Sequence, residues 1–357
     1  MKRTIKTMHG DLDIPAFFPD GTYGIVKSLN SNDLHSSNVD GMIVNTFHLL
    51  NKFGRNNMKD VGGLHSLINW DKPIVSDSGG FQVFSLINEN SSKGEIRQNE
   101  IVFRLEDGQK VILSPEKCIQ MQFAIGSDII MCLDHCTHPN DSYEIQKSSV
   151  ETTIKWARKC REEYDRLVKN KKFTNGKPLL FGIIQGGDDK ELRKYCAEEL
   201  VKIGFDGFGF GGWPLDKNNN LITDILEYTA SLMPDDAVKY AMGVGRPEEI
   251  VKCAEMGYNL FDCVIPTREA RHNRLYVFNE EVDLKDNFYS FIRILDKEYL
   301  KDLAPIDKNC DCELCSNYSR SYLHHLSKIG DSSADRLATM HNLRFYTKLM
   351  EYIRDEK

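Results

Sequence analysis

Nowhere in the 357-residue chain does an apolar run approach the ~18 residues needed to span a bilayer, so no membrane-spanning helix is expected. The basic start, Met1-Lys2-Arg3-Thr4-Ile5-Lys6, runs into Gly10-Asp11-Leu12-Asp13 without the apolar segment of a secretory signal, and a cytoplasmic location is expected. Tryptophan is scarce, with three in all, which counts against an open saccharide cleft lined by several aromatic platforms. No Gly-x-Gly-x-x-Gly joins an early strand to its helix, which counts against a dinucleotide-binding doubly wound sheet. Low-complexity segments and interdomain linkers are missing too. Positive charge is not in excess: 46 Lys and Arg against 53 Asp and Glu give a net charge of -7, so a nucleic acid could be held only by a local basic patch.

Short apolar runs, each ending in Gly or polar residues and each followed by a helix-like stretch, make up most of the chain. They are Ala16-Phe17-Phe18, Met42 to Asn45, Pro73 to Ser76, Ile129 to Leu133, Leu180 to Ile184, Gly207 to Phe210, Tyr240 to Val244, and Leu260-Phe261, eight in number. Several are too apolar for half-exposed strands, as in a parallel sheet covered on both faces. Ser114-Pro115-Glu116 and Arg246-Pro247-Glu248-Glu249 are helix starts. Eightfold strand-helix alternation predicts an α/β fold, a (β/α)₈ TIM barrel, with functional residues at the C-terminal ends of the strands. Two stretches interrupt it. Ile101 to Leu105, Glu106-Asp107-Gly108 and Val111 to Leu113 predict an inserted β-hairpin. Residues 275–340 form a C-terminal subdomain inserted after the eighth strand, leaving 1–274 and 341–357 for the barrel.

Asn259-Leu260-Phe261-Asp262-Cys263-Val264-Ile265-Pro266-Thr267-Arg268 is a strand-like run that delivers a carboxylate, stops at a proline and is followed by Arg268, Arg271 and Arg274. Asp262 reads either as a turn cap paired with an arginine or as a nucleophile beside cations that meet a phosphodiester backbone. Asp77, in the glycine-rich Ser76 to Gln82 loop, Asp134 and Gln185 also end strands. On one barrel rim they give three carboxylates and an amide facing a single cavity. One carboxylate can attack an anomeric carbon while a second moves protons, the logic of retaining glycosyl chemistry. The rest can hydrogen-bond a purine-like base between Phe81 and Met242.

Ten cysteines in a reducing compartment imply free thiols or metal ligands. Cys310, Cys312 and Cys315 place three thiolates on one loop, with His341 preferred to His324 or His325 as fourth ligand of a structural zinc, one per chain. His135, Cys136 and His138 match no zinc spacing.

Asp77-Ser78-Gly79-Gly80-Phe81-Gln82, Gly126-Ser127-Asp128-Ile129, Met242-Gly243-Val244-Gly245, Phe261 to Arg268 and the Cys310 to His341 cluster together resemble the bacterial tRNA-guanine transglycosylases, from about Thr22 to Tyr346. The resemblance implies exchange of the wobble guanine of certain tRNAs for a 7-substituted 7-deazaguanine on the way to queuosine. It implies Asp262 as nucleophile, Asp77 as general acid/base, Asp134, Gln185 and the Gly212 backbone as readers of the base, and Phe81 and Met242 as its walls. Arg268, Arg271 and Arg246 would contact the anticodon loop, and the partners would be tRNA, the base and a second copy in a homodimer. One segment departs. Where the family reads Gly-Gly-Leu-Ala-Val-Gly-Glu, this chain has Gly211-Gly212-Trp213-Pro214-Leu215-Asp216-Lys217. Pro214 has no N–H, so only the Trp213 carbonyl can face the base, which favours an amino substituent as in 7-aminomethyl-7-deazaguanine or queuine. Lys217 stands at the glutamate position with Asp216 beside it as the alternative acid, and His135 replaces a family glutamate. A retaining glycoside hydrolase and a non-catalytic tRNA-binding subunit are the rival readings.

Overall fold

The computed structural model describes residues 3–104 and 108–356. Eight short parallel strands form its centre: β1 (Ala16–Pro19), β2 (Met42–Val44), β3 (Ile74–Ser76), β4 (Ile129–Met131), β5 (Leu179–Ile184), β6 (Gly207–Phe210), β7 (Val238–Ala241) and β8 (Leu260–Cys263). Each of the eight expected runs is one of these strands. They pair in the order β1-β8-β7-β6-β5-β4-β3-β2, and the Asp20–Ile43 bridge links β1 to β2, closing the circuit. The result is the expected TIM-like barrel with flanking helices.

Strand alternation decides what enters the barrel. Val75, Ile183, Tyr240 and Leu260 belong to the interior cluster, whereas Ile184, Ala241 and Phe261 pack outward against the helices. Two residues beyond each inward one stand Asp77, Gln185, Met242 and Asp262, which the same period turns toward the axis at the upper rim. An antiparallel hairpin, Arg3–Thr7 with Gly10–Ile14, closes the lower end, its Leu12 and Ile14 joining the interior cluster.

Ser114 caps the helix Pro115–Ile125 by accepting from the Lys117 N–H, as expected for Ser-Pro-Glu. The helix Pro247–Glu255 begins at Pro247 without a capping side chain. The inserted hairpin is a three-stranded antiparallel sheet, Gly94–Ile96, Ile101–Arg104 and Lys110–Leu113. The turn residues Leu105, Glu106 and Asp107 lie outside the described residues.

After β8 a short helix, Ile265–Arg271, leads into the strand pair Arg274–Phe278 and Tyr289–Arg293 and the helices Glu313–Asn317 and Arg320–Ile329. The long helix Ser332–Asp355 returns the chain to the barrel. Its Ala334, Leu337 and Ala338 pack with Leu314 and Leu323, whereas Phe345, Tyr346, Leu349 and Ile353 pack on the barrel's helices. His341 lies at the changeover. Among the described residues no helix is long and apolar enough to cross a membrane.

Candidate active site

A cavity of about 720 Å³ opens at the C-terminal ends of the strands. Its walls include Asp77, Asp134 and Asp262, together with Phe81, Gly212, Trp213 and Met242. Sequence reasoning missed Asp20, which directly follows β1 and also lines the cavity.

Asp262 sits on β8 opposite Phe18 of β1. The Tyr240 hydroxyl donates to its Oδ1 at 2.7 Å and the Gly243 N–H donates to the same oxygen at 2.9 Å. Burial raises its pKa to about 6, against the pull of those two donors, and Asp20 adds to the rise. Tyr240 was not singled out in the sequence because it lies inside an apolar run.

Asp77 follows β3. Asn45 donates to Oδ2 at 2.6 Å, and the N–H groups of Thr46 and Gly79 donate to Oδ1 at 2.9 and 3.1 Å. Gly79 takes φ +76° and has no room for a Cβ beside Phe47. Burial raises Asp77 to about 7 despite these N–H groups, and the charges of Asp262 and Asp20 push the same way. Its carboxyl is half-buried, reached by solvent only through the cavity. With the Asp262 charge raising Asp77, two carboxyls poised near neutrality can divide into a nucleophile and a proton carrier.

Asp134 lines the cavity, and Gln185, fully buried behind it and not itself part of the cavity wall, donates from its amide to Asp134 Oδ2 at 2.7 Å, while Ser78 reaches Oδ1 at 3.4 Å. Burial raises Asp134 to about 6, against those two hydrogen bonds. Phe81 and Trp213 are each 41% exposed and meet edge to face, ring centroids 5.5 Å apart, with His138 at 6.2 Å from Trp213. An aromatic pair thus stands at the cavity mouth.

Beyond Trp213 the chain forms a small hairpin. Leu215 bridges Leu221, and the Ile222 N–H donates to the Pro214 carbonyl at 3.0 Å. Asp216 accepts from the N–H groups of Asn218 and Asn220, both at 2.8 Å, so its carboxylate closes this turn. His135 turns its ring away from the cavity toward Trp156, at 6.1 Å, and burial lowers its basicity.

Among the arginines, Arg268 is exposed on the helix after β8 and Arg271 is half-buried one turn on. Arg246 donates to the Asn219 carbonyl at 3.1 Å and pairs with Glu249 at 3.3 Å, bracing the 213–222 hairpin. Arg274 is paired with Glu269 at 2.9 Å and lies over Phe291 at 4.3 Å.

Cys310, Cys312, Cys315 and His341 bring their ligand atoms within 4.8 Å of one another. His341 Nε2 lies 2.7 Å from the Tyr276 carbonyl, which makes Nε2 the N–H nitrogen and leaves the lone pair on Nδ1, 3.3 Å from Cys315 Sγ and 3.6 Å from Cys312 Sγ. Such a donor set, with its orienting carbonyl, suits a tetrahedral metal. The cluster stands apart from the cavity walls.

A (β/α)₈ barrel with paired, charge-coupled carboxylates on its upper rim defines the class: an enzyme of glycosyl chemistry. A model of the family described as queuine tRNA-ribosyltransferase matches residues 3–356. A queuine tRNA-ribosyltransferase of Psychrobacter cryohalolentis is 42% identical over 353 residues, covering 99% of this chain and 88% of that protein. One from Mannheimia succiniciproducens is 41% identical over 342 residues (95% and 84%), and one from Halothermothrix orenii 40% over 351 residues (98% and 88%). The chain belongs to the queuine tRNA-ribosyltransferase family and is a pentosyltransferase.

Proposed function

We propose that this enzyme is a tRNA-guanine transglycosylase that exchanges the wobble guanine of tRNAs with GUN anticodons for a 7-substituted 7-deazaguanine. The observation that carries this reading is the placement of Asp77 and Asp262 on one cavity with their charges coupled. Asp262 attacks the ribose anomeric carbon as the bond to guanine breaks, and Asp77 gives the departing base its proton. The incoming base then returns a proton to Asp77 as its nitrogen attacks the anomeric carbon, and the Asp262 carboxylate leaves. Asp134, Gln185 and the Gly212 N–H hold the base edge, while Phe81, Met242 and Trp213 cover its faces. Arg268 and Arg271 meet the anticodon loop, with Arg246 acting beside them through the hairpin it braces.

Residues 275–340 are assigned to a zinc-binding subdomain in which Cys310, Cys312, Cys315 and His341 hold one structural zinc per chain. The metal supplies cross-linking between the cysteine loop and the long helix, and no proton or electron to the reaction. A homodimer packed near this subdomain, working in the cytoplasm, completes the proposal. The incoming base carries an amino group on its 7-substituent, because Pro214 leaves only a carbonyl to face it.

Incorporation of labelled guanine into an unmodified anticodon stem-loop containing uridine-guanine-uridine tests the reading. Label should enter with wild-type enzyme and not with Asp262→Ala. Unlabelled 7-aminomethyl-7-deazaguanine and queuine should each block it, and the more potent of the two identifies the preferred base. Absence of label from any tRNA would sink the reading, and full activity of Asp262→Ala would leave a different nucleophile to be found.

A further inference from the structure

Arg193, in the first turns of the helix Lys190–Ile203, is a fully buried cation. It is 1% exposed, and among the described residues no carboxylate pairs with it. A cation near a helix N-terminus also opposes the helix dipole. Burial holds its pKa down at about 10. A lone buried guanidinium persists only where its donors are satisfied, and here they are met by backbone carbonyls.

Those carbonyls belong to the base-reading loops. Nε donates to Gly187 at 2.7 Å, Nη1 to Ile184 at 3.1 Å and Nη2 to Gly211 at 3.1 Å. The guanidinium plane lies over Phe210, 4.1 Å from the ring centroid. Gln185 thus lies between Ile184 and Gly187, whose carbonyls are fixed, and Gly211 is the residue before Gly212. Packing leaves little slack: a Cβ on Gly211 would lie 2.7 Å from Gln185 Nε2, and one on Gly186 would lie 2.7 Å from Arg193 N.

We infer that Arg193 is a positioning residue for recognition of the base. By donating to the Gly211 carbonyl it both fixes and polarises the Gly211–Gly212 peptide, so that the Gly212 N–H becomes a stronger and better aimed donor to the 6-oxo group of the purine. Its other two bonds tie the Gln185 loop to the same guanidinium, making one rigid edge from two loops. The inference rests on the proposed base exchange and adds to it a residue that touches neither base nor ribose.

The test compares guanine with 2-aminopurine, which lacks the 6-oxo group, as competitors of labelled-guanine incorporation in wild type, Arg193→Met and Arg193→Lys. Wild type should prefer guanine. In Arg193→Met this preference should shrink about tenfold, with KM for guanine rising more than kcat falls, and added guanidinium ion should restore part of it. Arg193→Lys, which keeps the charge but cannot span three carbonyls, should show an intermediate loss and serves if the Met variant fails to fold. A merely structural role would weaken both bases alike, so an unchanged ratio in the folded variants overturns the inference alone. A wild type that does not distinguish the two bases overturns the proposed base reading, and the inference with it.

Discussion

The Tyr240 hydroxyl lies 2.7 Å from Asp262 Oδ1, and the Gly243 N–H shares that oxygen, so both hydrogen bonds to the carboxylate seen among the described residues fall on one oxygen. Oδ2 is the oxygen that would attack in the proposed reaction. A hydrogen bond to the ionised form favours ionisation, so Tyr240 favours the charged form of Asp262, the proposed nucleophile. Tyr240→Phe should slow formation of the covalent tRNA adduct by about tenfold, the order expected for one hydrogen bond to a charged group, and move the acidic limb of the rate profile upward. Stopped adduct formation across a pH series reads both, and an unmoved limb would show that the phenol does not act on Asp262.

With Asp262 as the nucleophile and Asp77 as the acid, as proposed, their values near 6 and 7 would set the pH dependence of the reaction. Below the first value the nucleophile is protonated and cannot attack. Above the second, the acid has lost the proton needed by the departing base. The profile of kcat/KM should therefore be a bell with limbs near 6 and 7, the two values belonging to the interacting pair rather than to either residue alone. Asp77→Asn should lose the alkaline limb and react about 100-fold more slowly, within the usual range for general acid catalysis. A flat profile between about pH 5 and pH 9 would remove these carboxyls from the proton inventory.

Much of this site was legible in the chain, and the reasons it was only partly so are local. The eight strands stood out because a parallel sheet covered on both faces needs continuous apolar runs, and the residues ending those runs were the ones to inspect. Asp20 ends such a run too, but Pro19 before it and Gly21 after it read as a turn. Gly94–Ile96 gave no strand signal, since three residues containing a glycine acquire strand form only by pairing with Ile101–Arg104. Side-chain partners were the least legible feature. Arg274 and Glu269 are five residues apart with no pattern announcing their pairing, and nothing in Asp216-Lys217 says that the carboxylate closes its own turn. The ring of His135 is directed by its packing against Trp156, a long-range contact from the helix Tyr143–Asn170.

At the opposite end of the barrel, the buried Asp128 binds the closing hairpin to β3. It accepts from the His9 N–H at 2.9 Å and the Ile74 N–H at 2.9 Å, while the stacked rings of His9 and His65 lie 3.0 and 3.4 Å from its oxygens. Burial alone would raise its pKa, but the hydrogen bonds from His65, His9 and Ile74 outweigh it and hold the carboxyl at about 2. A carboxyl depressed below the ~3.9 of the unfolded chain adds stability that is fully present above that value and lost as pH falls toward 2. Asp128→Asn should cost about 1–3 kcal/mol at neutral pH, and the gap to wild type should close between about pH 4 and pH 2. Denaturant unfolding at a series of pH values measures this, and a gap that stays constant would show that charge on Asp128 is not what holds the hairpin.

Metal removal separates the two ends of the proposal. His341 reaches the Tyr276 carbonyl through Nε2 and the cysteine loop through the Nδ1 side, so the cluster joins the strand Arg274–Phe278, the helix Glu313–Asn317 and the long helix at one point. A structural zinc there would contribute folding free energy, because no preformed site exists in the unfolded chain. Chelation, or Cys312→Ala, should release one zinc per chain, lower the melting temperature by several degrees and weaken dimerisation. Adduct formation by molecules that remain folded should continue, since the cysteine cluster lines no part of the catalytic cavity. Calorimetry, sedimentation and single-turnover adduct formation on the same chelated sample distinguish the outcomes. Loss of chemistry with melting temperature and assembly unchanged would move the metal from the scaffold into the reaction.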